Sequence, residues 1–240
     1  VTDDGWRDPS TQIGQTGRLK QRLVNDPKIR NIDLSKVLYP ANNITGGTLY
    51  QTETQDHDLD EALDNTLIEK SQAALEHLQP VTIDLPITNV NRTVGAMLSG
   101  EIARRYGDEG LPEGTLELNL SGSAGQSLGA FLVKGVRINL VGESNDYVGK
   151  GMSGGEIVLV PSSTSKFNPA DNAICGNTVL YGATGGSLYI RGRAGERFAV
   201  RNSGATTVVE GIGDHGCVYM TNGRVIVLGA TGKNFGAGMS

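Results

Sequence analysis

Apolar and polar residues alternate in short bursts through the second half of the chain. LELNLSG, VRINLVG, EIVLVP, LYIRG, TVVEG and RVIVLG each show the two-residue period of a strand with one buried face. Most end in glycine, at Gly122, Gly142, Gly192, Gly211 and Gly229, with Pro161 in that place once. Successive ends lie 18–20 residues apart, except for one interval holding the insertion SSTSKFNPADNA and a further expected strand, TVLYG. This period is too long for heptads and too short for a helix pair. It predicts a chain that winds once per repeat, a parallel β-helix, with Val, Ile and Leu stacked inside and glycines at sharp corners. A β-sandwich would need hairpins, for which Asn222-Gly223 is the one strong signal.

The first half reads differently. Residues 1–35 lack steady periodicity, and the first 30 or so are expected to be irregular or a docked arm. LDEALDNTLIEKSQAALEHL places Leu59, Ala62, Leu63 and Leu67 on one helical face, with Asp58 as its expected N-cap and Pro80 just beyond its end. VTIDLPI alternates as a strand, and Thr93 to Tyr106 reads as a second helix stopped at Gly107. The expected fold is mainly β: a solenoid over 81–240, preceded by a small α/β lead-in arm and helix over 1–80.

One longer string occurs twice. Asn145-Asp146-Tyr147-Val148-Gly149-Lys150-Gly151-Met152-Ser153 returns as Lys233-Asn234-Phe235-Gly236-Ala237-Gly238-Met239-Ser240. The first copy runs on into Gly154-Gly155 and a strand, whereas the second stops in mid-repeat. The natural chain is therefore expected to continue, and a bare end of the stack to associate with another copy or a covering segment.

Composition sharpens this picture. Of 34 glycines, 24 fall after residue 120; net charge is −8 over residues 1–120 and +3 over the rest. The total of −5 argues against a general nucleic-acid binder. No apolar run reaches the roughly 18–20 residues of a membrane span, and the opening residues do not read as a secretory leader. Two cysteines, Cys175 and Cys217, make neither a disulfide framework nor a four-thiolate metal site, so a reducing cytosol is the default.

Several catalytic patterns fail on context. Gly149-Lys150-Gly151-Met152-Ser153-Gly154 spells a dinucleotide fingerprint, but a strand follows where a helix is needed. Gly125-Gln126-Ser127-Leu128-Gly129 spells a nucleophile elbow, again followed by strand. Gly213-Asp214-His215 could hold a general base, yet no nucleophile or metal cluster accompanies it. The seven acids after residue 120 are scattered, which demotes a carbohydrate-active enzyme. Arg191, Arg193, Glu196, Arg197 and Arg201 form a charged cluster, read either as a solvated ion-pair corner or as a docking surface for an acidic partner.

The strings GSAGQSLGAF (122–131), NDYVGKGMSGGEI (145–157), GNTVLYGATGG (176–186), GRAGERFAVRNSGA (192–205), VVEGIGDHGCVYMTNG (208–223) and LGATGKNFGAGMS (228–240) resemble the C-terminal G-x-G-x-G domain of the glutamate synthase large subunit. NRTVGAMLSGEIARRYGDEG (91–110) and, more weakly, IDLSKVL (32–38) extend the likeness upstream, while 1–31 lies outside it. The resemblance implies a right-handed parallel β-helix within an enzyme that makes glutamate from glutamine and 2-oxoglutarate. It also implies an amidotransferase domain with a cysteine nucleophile, and a barrel carrying FMN and an iron–sulfur cluster, neither present in this chain. Carried over residue by residue, it yields structural glycines, Gly149, Gly151, Gly154, Gly155, Gly182, Gly185, Gly186, Gly236 and Gly238, and no catalytic, cofactor or metal residue.

The expectation is a structural module, inactive alone, that holds the amidotransferase and flavin domains in register. Its parent would be NADPH- or ferredoxin-dependent, and would work in the cytoplasm or plastid stroma. Its expected partners are other domains or subunits of that enzyme, or a second copy, with no nucleic acid or membrane. The alternatives are a stand-alone subunit of another redox complex, of the formylmethanofuran dehydrogenase kind, and a carbohydrate-active enzyme.

Overall fold

The computed structural model describes residues 18–20, 25–33, 36 and 53–240. The chain divides into two units, Val1–His57 and Asp58–Ser240. Within the first, the described residues include one short helix, α1 (Pro27–Arg30). The expected arm falls mostly outside the described residues.

The second unit carries helices α2 (Leu63–Lys70) and α3 (Gln72–His77) before its first strand and α4 (Ala96–Tyr106) after it. The single helix expected from Asp58 is not formed. Asp58 sits at φ 51 with no side-chain cap, a 3-10 turn follows at Leu59–Glu61, and Ser71 breaks the rest into α2 and α3. Leu59 is consequently 54% exposed, while Leu67, Ala74 and Leu75 join Leu98 and Ile102 in the core. The acid that caps a helix is Asp64. Its carboxylate accepts the N–H of Gly95 (2.9 Å) and of Leu98 (3.0 Å), satisfying orphan donors at the start of α4.

The strands are β1 (Val81–Ile87), β2 (Leu116–Ala124), β3 (Val136–Ser144), β4 (Ser153–Val160), β5 (Ala173–Cys175), β6 (Gly185–Ala194), β7 (Ser203–Gly211) and β8 (Asn222–Val227). They form one parallel sheet in the order β1-β2-β3-β4-β6-β7-β8, with β5 bridging β3 and β6. Register follows the sequence period: Leu116 faces Val136, Arg137 faces Glu156, Ser187 faces Thr206 and Thr206 faces Arg224. Alternation puts one column of residues inside, running Ile83, Leu118, Ile138, Ile157, Leu188, Thr207 and Val225. From Ile83 through Thr207 these side chains are buried, which gives the stack its apolar driving force.

Two further expectations are corrected. The mainly β, right-handed parallel β-helix is replaced by an α/β fold: the eight strands among the described residues share one sheet, with helices beside it. The 18–20-residue period specifies parallel neighbours in chain order, which both architectures have, and leaves the number of sheets open. TVLYG is not a strand; its residues form a turn, and the insertion supplies β5 at Ala173–Cys175 instead. The β-sandwich set aside from the sequence is absent as well: Asn222-Gly223, its one hairpin signal, opens β8, whose pairing with β7 is parallel.

Candidate functional site

Between successive strands, and once more after β8, the chain repeats one unusual turn, with left-handed backbone at every second residue. The runs are Ser127/Gly129/Phe131, Tyr147/Gly149/Gly151, Thr178/Leu180/Gly182, Arg197/Ala199/Arg201, His215/Cys217/Tyr219 and Asn234/Gly236/Gly238, all with φ between 54 and 70. This spacing is the G-x-G-x-G signature in conformational form, and only some of its positions carry glycine. Hydrogen bonds explain how the others bear the strain. The N–H of Ser127 donates to Asp146 O, that of Tyr147 to Asn177 O, that of Thr178 to Glu196 O, that of Arg197 to Asp214 O and that of His215 to Lys233 O, at 2.7–2.9 Å. The middle position donates the opposite way, Gly149 to Leu128 O, Leu180 to Val148 O, Ala199 to Val179 O and Cys217 to Phe198 O. Each inner run is thus bonded to both neighbours, the over-determination that a left-handed non-glycine residue requires.

A side-chain ladder reinforces these bonds. Asp146 Oδ1 accepts the N–H of Asn177 (2.7 Å), Asn177 Oδ1 that of Glu196 (2.8 Å), and Asp214 Oδ1 that of Lys233 (2.7 Å). Each oxygen lies where a side chain on Gly176, Gly195 or Gly232 would stand. Sequence reasoning missed this pairing. Its signal was a glycine two residues before the left-handed run, at Gly125, Gly176, Gly195, Gly213 and Gly232.

The glycines singled out from sequence take different roles. Gly149, Gly151, Gly155, Gly182, Gly186, Gly236 and Gly238 have positive φ. Gly154 and Gly185 are instead close-approach positions, where an added Cβ would lie 2.7 Å from Lys134 N and 2.5 Å from Ser153 O. Gly151 combines both demands, at φ 62 and beneath the ring of Phe131.

The charged cluster is not gathered into ion pairs. Arg191 and Arg193 lie on β6, while Glu196, Arg197 and Arg201 lie on the turn that follows. Among the described residues no salt bridge joins any of these five. The Arg201 guanidinium stands 5.9 Å from the ring of Tyr219, a cation–π arrangement matched by Lys150 over Tyr147 at 5.5 Å.

The catalytic patterns gain no geometry. Asp214 Oδ1 accepts the N–H of Lys233, which turns that oxygen to the next repeat and not to the His215 ring. Ser127 is a left-handed turn residue with no helix behind it. Cys175 and Cys217 are free and buried, and burial pushes their thiols up to about 12 and about 11, which makes both inert. No group of three His, Cys, Asp or Glu among the described residues could hold a metal ion. No helix among them is long and apolar enough to cross a membrane. A shallow cleft of about 720 Å³ opens where the insertion leaves the stack, between Val141, Phe167 and Ile174.

The profile of the GXGXG motif family matches residues 64–240, the span that holds the strands and all six runs. This chain belongs to that family. It is 50% identical over 98% of its length to "Glutamate synthase [NADH]" of Schizosaccharomyces pombe and to "Glutamate synthase [NADPH] large chain" of Bacillus subtilis. It is 47% identical over 95% of its length to "Ferredoxin-dependent glutamate synthase, chloroplastic" of Spinacia oleracea. The chain spans 11%, 16% and 14% of these relatives' own lengths. The G-x-G-x-G likeness covers residues 64–240, while the likeness to glutamate synthases runs over 98% of the chain and so takes in most of residues 1–31, which the sequence strings had left outside.

Proposed function

We propose that this chain is the non-catalytic structural module of a glutamate synthase large subunit. It holds the domain that releases ammonia from glutamine in register with the FMN and iron–sulfur domain that builds glutamate from 2-oxoglutarate. The observation that carries this reading is identity near 50%, sustained over 98% of the chain, with a segment of two much longer glutamate synthases. The hydrogen-bonded turn ladder supports it, because a spacer must resist bending and each inner run is tied to both neighbours. The electron donor of the parent is NAD(P)H or ferredoxin, and its compartment is the cytoplasm or, in plants and algae, the plastid stroma.

The test is made on the full-length natural polypeptide that contains these residues. With glutamine, 2-oxoglutarate and a reduced donor it forms glutamate, and ammonia lost to solvent stays small per glutamate formed. The double substitution Asp146→Ala with Asp214→Ala loosens the ladder and raises that leak, with glutamine hydrolysis retained. Ammonia release or flavin absorbance from the 240-residue chain alone would overturn the reading.

A further inference from the structure

The outward column of the sheet changes character half-way across. On the first three strands it is polar: Asp84 faces Asn119 and Asn119 faces Asn139. Asn119 Nδ2 donates to Asp84 Oδ1, and Asn139 Nδ2 to Asn119 Oδ1, both at 2.9 Å. That half satisfies itself and needs only water beyond. The same column continues as Val158, Tyr189, Val208 and Ile226, each facing the next in register on β4, β6, β7 and β8. Tyr189 is 38% exposed and Ile226 49%, and the two valines are half-buried.

Four consecutive apolar residues in register make a strip, and parallel sheets ordinarily have both faces covered. The rim has charge to match a partner. Arg224 precedes Ile226 by two residues on β8 and Arg191 follows Tyr189 by two on β6, so exposed cations flank the strip on either side. Neither makes a salt bridge among the described residues.

We propose that this strip is the seat of an amphipathic helix belonging to the same natural polypeptide, outside these 240 residues. Its apolar stripe crosses β4 to β8, and acids on its flanks meet Arg191 and Arg224. Crossing four strands takes about 14 Å, or roughly ten helical residues. The inference rests on the glutamate synthase reading, in which this chain is a small part of a longer polypeptide. Within that reading it names the surface through which the module holds its neighbour.

Photo-reactive benzoyl-phenylalanine is placed at Tyr189 in the full-length polypeptide, and at Ser121 on the polar half as the control. The expected result is an adduct with a helical peptide of the same polypeptide beyond these residues, at a yield at least tenfold above the control. Ile226→Lys should cut that yield at least fivefold, while amide exchange protection of β8 stays as in the parent. An adduct with residues 1–57, with a second copy or with an unrelated protein overturns the proposal, as does a yield equal to the control. Glutamate formation is measured on the same sample. An active enzyme without the adduct sinks this inference alone, and an adduct in a polypeptide that makes no glutamate sinks the reading beneath it.

Discussion

Asp146 Oδ1 accepts the backbone N–H of Asn177 from the following repeat, and in doing so fills the space beside Gly176. The carboxylate and the glycine are therefore one device. An alanine at 176 would drive its Cβ into that oxygen and to within 2.7 Å of Asp146 N. We expect Gly176→Ala to destabilise the chain by about 1–3 kcal/mol, as overpacking does. Asp146→Ala loses the hydrogen bond and should cost about 1 kcal/mol, while Asp146→Asn, which keeps an acceptor, should cost less. If the clash is the cause, Asp146→Ala will relieve part of the Gly176→Ala penalty in a double-mutant cycle read by urea denaturation. Strict additivity would dismiss the coupling.

Three glycines separate conformational from steric demands. Gly151 has φ 62 and the Phe131 ring 2.7 Å from its would-be Cβ; Gly182 has φ 63 and open space; Gly100 sits exposed within α4 with nothing near. Gly182→Ala should cost about 1–2 kcal/mol, the left-handed penalty alone. Gly151→Val adds a clash and should cost more, with partial rescue by Phe131→Ala. Gly100→Ala should stabilise by about 0.5–1 kcal/mol, since alanine is the better helix former. Thermal melts of the four variants check the order, and a stabilised Gly182→Ala would contradict the backbone account.

The repeat was legible because a buried face imposes alternation, and the register of β2, β3, β4, β6, β7 and β8 follows it. TVLYG was misread for a physical reason. Val179 and Leu180 both bury in the turn run, so their apolar pattern imitates a strand although Leu180 has φ 56. The left-handed ladder was visible only where glycine occupies it; Arg197, Ala199 and Arg201 give no local sign, because hydrogen bonds from neighbouring repeats enforce their conformation. Asp58 looked like a cap from its position before an apolar run, whereas Asp64 became one through a contact across more than 30 residues that no local pattern announces.

Thr207 is the one polar member of an otherwise apolar column, fully buried opposite Leu188 and Val225. Its Oγ1 has no hydrogen-bond partner. Burying an unpaired hydroxyl costs free energy, and valine has the same branched shape without that cost. Thr207→Val should therefore stabilise the fold by about 1 kcal/mol. A loss of stability on equilibrium denaturation would mean that the hydroxyl is satisfied in solution.

Acid and alkaline limbs of stability follow from three buried groups. Burial holds the Asp64 carboxyl above its ordinary range, against the opposing pull of hydrogen bonds from Leu98, Gly95 and Met97. A raised pKa means the native state holds its proton more tightly than the unfolded chain. That contribution is full below the unfolded value near 4 and is lost as pH rises through the higher folded value. Measured against non-titrating Asp64→Asn, the native chain should lose ground as pH climbs from about 4 toward neutrality. Burial acts in the same sense on the thiols, raising Cys217 to about 11 and Cys175 to about 12. Both stay protonated in the native state after unfolded thiols, near 8.5, have ionised, so stability should fall again from about pH 8.5 upward. Cys217→Ala should flatten that alkaline slope. Urea midpoints across both ranges decide the matter: a gap to Asp64→Asn that widens with pH would reverse the sign assigned to Asp64, and an alkaline slope unchanged in Cys217→Ala would remove that thiol from the account.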